Sequence, residues 1–166
     1  DFRRMVLEVR PQQVTLVPDA VDQLTSNHGW DTKKYADDLR IWIAAFHEEG
    51  IRVSVFVDPV PEMVQHAALI GADRVELYTG PYAELHAVRP LQAIEAYRAA
   101  AECAKEIGLG LNAGHDLNLH NLNDLVSAFP WIDEVSIGHA LIADALYLGI
   151  EETISQYKQC LVINEN

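Results

Sequence analysis

Short apolar runs rich in β-branched residues recur along the chain at Val14–Val17, Val53–Val57, Arg74–Tyr78, Gly110–Asn112 and Glu134–Ile137, each ending in small or polar residues. Runs of this length bounded by turn-forming residues predict strands. Between them the apolar positions switch to helical spacing. Asp37 to Glu49 carries Leu39, Ile43 and Phe46 on one face; Glu62 to Ile70 follows Pro61; Leu91 to Ile107 is rich in Ala; Leu122 to Phe129 and Leu141 to Leu148 complete the set. Gly50, Gly71 and Gly108 stand at the helix-to-strand turns, where a helix ends most easily on a residue that tolerates left-handed backbone. Strand and helix alternate with no hairpin signal, so the pattern predicts βα units and a parallel sheet, an α/β fold in one domain over residues 1–166.

A (β/α)8 barrel takes about 250 residues. Five units in 166 residues make a flavodoxin-sized sheet if complete, or part of a barrel if not. The opening Asp1-Phe2-Arg3-Arg4-Met5-Val6-Leu7-Glu8-Val9 has no initiator Met and reads as the middle of an amphipathic helix, without an N-terminal capping signal. We therefore expect further chain upstream and favour part of a barrel.

Composition narrows the function. Hydrophobic residues make up 49% and charged residues 22%, enough for one globular core. The longest apolar stretch, Ile132–Ile142, is broken by Asp133, Glu134, Ser136 and His139, so no segment approaches the roughly 20 apolar residues of a membrane span. With 12 Lys and Arg against 25 Asp and Glu, the formal charge is −13, and no basic cluster exists to bind nucleic acid. Cys103 and Cys160 form neither a disulfide framework nor a zinc knuckle, which predicts a reducing, cytoplasmic setting.

In parallel α/β proteins the chemistry sits at the carboxyl ends of the strands. Two of those ends stand out, Ala113-Gly114-His115-Asp116 and Gly138-His139-Ala140. Each sets a Gly before a His at a strand-to-helix turn. There the backbone N–H groups and a helix N-terminus would hold an anion without any Lys or Arg. Barrels often bind phosphate with the loops after their last two strands, and we expect Gly138, His139 and the His115–Asp116 turn to do so. His115 is the candidate general acid or base, because imidazole titrates near neutrality. Glu76 lies inside an apolar strand, where its charge needs a partner; it is read either as an orienting hydrogen-bond acceptor or as the partner of an Arg. His115, Asp116, His120 and His139 have a second reading as metal ligands, but their spacing matches no standard motif. No Lys falls on a predicted strand, which removes a Schiff-base lysine from this segment.

The same residues resemble the pyridoxine 5′-phosphate synthase family of vitamin B6 biosynthesis. The likeness runs through Val14-Thr15-Leu16-Val17-Pro18-Asp19 with Leu24-Thr25-Ser26, Val53-Ser54-Val55-Phe56-Val57-Asp58, Val75-Glu76-Leu77-Tyr78-Thr79-Gly80-Pro81-Tyr82-Ala83, Leu111-Asn112-Ala113-Gly114-His115 and Val135-Ser136-Ile137-Gly138-His139-Ala140. It implies a (β/α)8 TIM barrel of which this chain holds strands 4–8, about the C-terminal two-thirds. The first three strands, with their substrate-binding Asn, Asp and Arg and a catalytic His and Glu, would lie outside it. It further implies condensation of 3-amino-2-oxopropyl phosphate with 1-deoxy-D-xylulose 5-phosphate to pyridoxine 5′-phosphate, inorganic phosphate and water, with no metal or organic cofactor. His115 would be the proton-donating His, and Thr25 would bind the deoxyxylulose phosphate. Gly138 and His139 would hold phosphate, and Glu76 would orient substrate or a neighbouring side chain. Asp116 stands where many relatives have Gly. The family forms higher homo-oligomers, implying an octamer, and the segment on its own is expected to be poorly folded and inactive. Two other readings remain, a different phosphate-binding barrel isomerase or lyase, and a sugar-phosphate-binding module without turnover.

Overall fold

β-branched runs become strands and the amphipathic stretches between them become helices, close to where the periodicity places them. The computed structural model describes residues 2–20 and 22–162. In chain order these form α1 (Phe2–Val9), β1 (Gln13–Leu16), α2 (Ala36–Glu48), β2 (Arg52–Val57), α3 (Pro61–Leu69), β3 (Arg74–Tyr78), α4 (Gly80–His86), α5 (Pro90–Glu106), β4 (Gly110–Gly114), α6 (Leu122–Ala128), β5 (Glu134–Ser136), α7 (His139–Leu148) and α8 (Ile150–Cys160). Pro61 and Pro90 open α3 and α5, where a missing N–H costs nothing. The glycines at the helix-to-strand turns, Gly50, Gly71 and Gly108, have φ of +72°, +94° and +70°.

Among the described residues the strands form one parallel sheet in the order β1-β2-β3-β4-β5. That order decides between the two architectures left open by the sequence. A flavodoxin-like sheet reverses direction, with order 2-1-3-4-5, and carries helices on both faces. Here every crossover steps to the next strand in the same direction, as in a barrel, and the sheet curls accordingly. Gln13 on β1 and Glu134 on β5 lie at opposite edges of the sheet, yet the Gln13 amide donates to the Glu134 carboxylate at 2.8 Å. The chain is a curled half-barrel.

Alternation along the strands separates two environments. Val14 and Leu16, Val53, Val55 and Val57, Val75 and Leu77, and Leu111 and Ala113 are all buried. They face Leu39, Ile43 and Phe46 of α2, Val64 and Ala67 of α3, and the small-residue face of α5, forming the core. The opposite set, Thr15, Ser54, Phe56, Glu76, Asn112, Gly114 and Ser136, lies on the concave side. At the amino ends of the strands this lumen is closed by a polar layer. Arg52 donates to Gln13 at 2.7 Å and to Glu134 at 2.7 Å, Arg74 donates to Asn112 at 2.9 Å, and Asn112 donates to Glu134 at 3.2 Å. Asp73 and Asp133, each one residue ahead of a strand, accept the backbone N–H of Val53 and Leu111 on neighbouring strands at 2.7 and 3.0 Å, which pins the register.

The structure departs from the sequence reading at several points. β4 runs on to Gly114, because the ladder continues through Tyr78↔Gly114 and Thr79 N–H donates to Gly114 C=O at 2.9 Å. β5 stops at Ser136 and α7 begins at His139, so Gly138 is its N-cap. α4 occupies a stretch with no clear period. Finally, α6 begins at Leu122, as the periodicity places it, so the His115–Asp116 turn is not at a helix N-terminus; the five residues 117–121 separate it from that helix.

Candidate active site

The carboxyl ends of β1, β3, β4 and β5 converge on one cavity of about 350 Å3, lined by Thr25, Ser26, Phe56, Glu76, His115, Asp116, Ser136, Gly138 and His139 with Val17 and Ile137. All six residues singled out in the sequence thus reach the same space, although they come from segments up to 114 positions apart. The volume is that of a small-molecule site.

His115 follows directly on β4. Its Nε2 sits 2.8 Å from Oγ1 of Thr25, which the long β1–α2 loop carries across the top of the sheet. That loop is braced by Gln23, whose side-chain amide donates to Thr25 C=O at 2.9 Å, and by Ser26, which donates to Asp19 at 2.7 Å. On the other side of the ring, Nδ1 lies 2.9 Å from Oδ2 of Asp116. The carboxylate is off the N–H direction, so this is a contact without an aligned hydrogen bond, and Nδ1 is buried with no hydrogen-bond partner. Tyr78 meets the imidazole edge-on, with centroids 5.1 Å apart and planes at 85°. Burial, helped by the carboxylates of Asp116, Glu84 and Asp58, holds the Tyr78 phenol above its ordinary value, so it remains a neutral ring.

Glu76 forms the floor. It is buried in the lumen, where it accepts a hydrogen bond from Thr15 at 3.3 Å. The Arg partner read as one alternative from the sequence is not supplied by Arg74 or Arg52, which are engaged with Asn112, Asp133 and Glu134 instead. Burial pushes the Glu76 carboxyl up, against the pull of the Ser136 and Thr15 hydroxyls, with the nearby Glu134 charge adding to the rise. Gly114 is what makes room: a Cβ there would collide with the Glu76 carboxylate and come within 3.0 Å of Ser136 Cβ.

The anion-binding element predicted at Gly138–His139 is placed at the N-terminus of α7. The first turn of that helix carries no acidic side chain, and a Cβ at Gly138 would meet nothing within 4 Å. The other half of the expected phosphate cradle, at His115–Asp116, has no helix dipole behind it and carries a carboxylate. Among the described residues no group of three or more His, Cys, Asp and Glu side chains is placed to hold a metal ion, and no helix is long and apolar enough to cross a membrane. His86 is buried and pairs with Asp124 at 2.8 Å outside the lumen.

Sequence reasoning missed Ser26, Phe56 and Ser136. A signal was present: once Glu76 is taken as lumen-facing, the parallel register puts Phe56 beside it, and Ser136 two positions beyond Glu134.

Sequential parallel strands, an apolar outer face and a polar cavity at the strands' carboxyl ends define an α/β protein of the TIM-barrel class. Its particular kin are given by comparison with known proteins. The chain belongs to the family described as pyridoxal phosphate biosynthesis protein PdxJ, whose family model matches residues 1–163. The pyridoxine 5′-phosphate synthase of Bacteroides thetaiotaomicron is 56% identical over 161 residues, covering 97% of this chain and 68% of that protein. That of Cytophaga hutchinsonii is 57% identical over 157 residues, 95% of this chain and 66% of that protein. This chain therefore spans about two-thirds of the length of these relatives. Among solved structures, a chain of the Amycolatopsis orientalis BexX/CysO complex superposes with a TM-score of 0.56 over 98% of this chain and 64% of that one; at 13% identity the likeness is one of fold.

Proposed function

We propose that the protein to which this chain belongs is a pyridoxine 5′-phosphate synthase, and that β1–β5 are strands 4–8 of its barrel. It condenses 3-amino-2-oxopropyl phosphate with 1-deoxy-D-xylulose 5-phosphate, releasing pyridoxine 5′-phosphate, inorganic phosphate and water, in a cytoplasmic homo-oligomer. The observation that carries this reading is the convergence of Thr25, Glu76, His115, Asp116, Gly138 and His139 on one cavity. It is supported by family membership over residues 1–163 and by the match to the curated synthases over 97% of the chain.

The chemistry consists of imine formation between amine and ketone, elimination and ring closure, each step moving protons. His115 delivers a proton from Nε2, the nitrogen that faces Thr25 and the cavity. Thr25 hydrogen-bonds the deoxyxylulose phosphate. The backbone N–H groups of the first turn of α7 hold a phosphate at Gly138–His139, which suits a cavity lined by no Lys or Arg. Glu76, buried beneath, orients substrate hydroxyl or amine groups as an acceptor. No cofactor takes part.

The test is to supply both substrates to the intact protein and follow pyridoxine 5′-phosphate by its absorbance and by phosphate release. Product should form, and His115→Ala should lower kcat by about 10²–10⁴-fold, the usual contribution of a general acid or base. Absence of product, or full activity in His115→Ala, overturns the reading.

A further inference from the structure

We infer that Asp116 is a positioning residue for His115, holding the imidazole with its proton on Nδ1 so that Nε2 is the nitrogen presented to Thr25 and substrate. The inference rests on the synthase reading above and moves Asp116 from substrate binding to the support of the acid–base group.

Consecutive residues leaving a strand point to opposite faces of the sheet. His115 and Asp116 do not, because both have left-handed backbone, with φ of +94° and +58°. Such a pair is uncommon outside Gly and Asn and persists only where the surroundings over-determine it. Here they do. Buried Thr79 donates its hydroxyl to the His115 carbonyl at 2.6 Å, and the side-chain amides of Asn121 and Asn118 donate to the Asp116 carbonyl at 3.2 and 3.4 Å. The clamped, doubly left-handed turn folds the two side chains onto each other, which is how the Asp116 carboxylate comes within 2.9 Å of Nδ1.

Nδ1 is otherwise without a hydrogen-bond partner, although it is shielded from solvent. A carboxylate is acceptor-only, so beside Nδ1 it favours the tautomer that carries hydrogen there. The carboxylate turns about its terminal torsion, a soft and roughly two-fold coordinate. Catalytic hydrogen bonds are often misaligned before substrate binds and tighten in the complex. With Nδ1–H directed at Asp116, Nε2 is free to accept the Thr25 hydroxyl at rest and to carry the transferable proton in the imidazolium. Tyr78, edge-on against the ring, limits its rotation. The Asp116 side chain is half exposed, so its charge is not sequestered from water, and its effect comes from geometry.

Asp116→Gly isolates the carboxylate, because Gly adopts φ near +58° without strain and keeps the backbone N–H and C=O that the turn uses. In the intact protein we expect kcat to fall about 10–100-fold, the size of loss seen when a group that orients a metal-ligating histidine is removed. KM for each substrate should stay within about twofold, and the thermal midpoint should be unchanged or higher. Asp116→Asn, whose amide oxygen still accepts from Nδ1–H, should recover a large part of the loss. ¹⁵N NMR of His115 gives a readout independent of turnover. The neutral ring should be mainly Nδ1-protonated in the native protein and shift toward Nε2–H in Asp116→Gly. A rise in KM for the amine substrate at unchanged kcat would mean that the carboxylate touches substrate and would overturn the inference, as would unchanged kcat or an unchanged tautomer. Failure of the native protein to form product refutes the synthase reading instead, and the NMR comparison still decides the His115–Asp116 pairing.

Discussion

Gly114→Ala probes the point where strand packing and chemistry meet. The added methyl would enter the space of the Glu76 carboxylate on one side and stand 3.0 Å from Ser136 Cβ on the other. Ser136 Cβ is one bond from the backbone of β5 and cannot retreat without moving the strand. Glu76 has rotatable bonds, and its open direction is into the cavity, away from Thr15 and Ser136. Overpacking of this kind costs about 1–3 kcal/mol. Because the carboxylate can swing, we expect the lower half of that range, a fall in thermal midpoint of roughly 2–8 °C at about 2–4 °C per kcal/mol. The effect on turnover should be larger, since a carboxylate displaced into the cavity occupies substrate space. The decisive assay is a double-mutant cycle with Glu76→Ala by thermal or urea unfolding. If the clash is with Glu76, the truncation relieves it, and the two changes should couple by about 1 kcal/mol or more, with the double variant less destabilised than the sum. Additivity within about 0.5 kcal/mol, or a Gly114→Ala protein with unaltered midpoint and turnover, would refute the reasoning.

Two further outcomes follow from the lumen. Burial raises the Glu76 carboxyl above its ordinary 4.5, so the folded protein keeps this proton to higher pH than the unfolded chain does. The stability of the native protein relative to Glu76→Gln should therefore be greatest below pH 4.5, decline as pH rises through the raised folded value, and then level off; denaturant midpoints across pH check this, and a flat or rising difference contradicts it. Glu134→Ala removes at once the acceptor for Gln13, Arg52 and Asn112. The site is about two-fifths exposed, so water takes over part of the role, and the expected loss is about 1–3 kcal/mol by urea unfolding rather than that of a fully buried pair.

Much of the architecture was legible along the chain. Strands in a parallel sheet are covered on at least one face by helices, and the β-branched runs of β2 and β3 mark them to within a residue. Gly50, Gly71 and Gly108 mark helix ends because left-handed backbone is cheap for glycine alone. Glu76, His115, Gly138 and His139 could be nominated because ligands of parallel sheets gather at strand carboxyl ends and because a charge in an apolar strand demands an explanation. Family motifs added Thr25, which no local pattern distinguishes in its loop.

Tertiary structure alone decided the rest. Local periodicity is the same in a reversing sheet and in a barrel. Only the sequential strand order, and the curl that lets Gln13 of β1 reach Glu134 of β5, separates them. The end of β4 depends on a ladder to β3, so nothing in Asn112-Ala113-Gly114 itself announces it. The left-handed pair at His115 and Asp116 violates their local preferences, and it is held by Thr79, Asn118 and Asn121 from neighbouring segments. A residue's own preferences can be read from its neighbours in sequence. Where a strained conformation is imposed by hydrogen bonds from elsewhere, the information lies in the contact, and only the folded chain contains it.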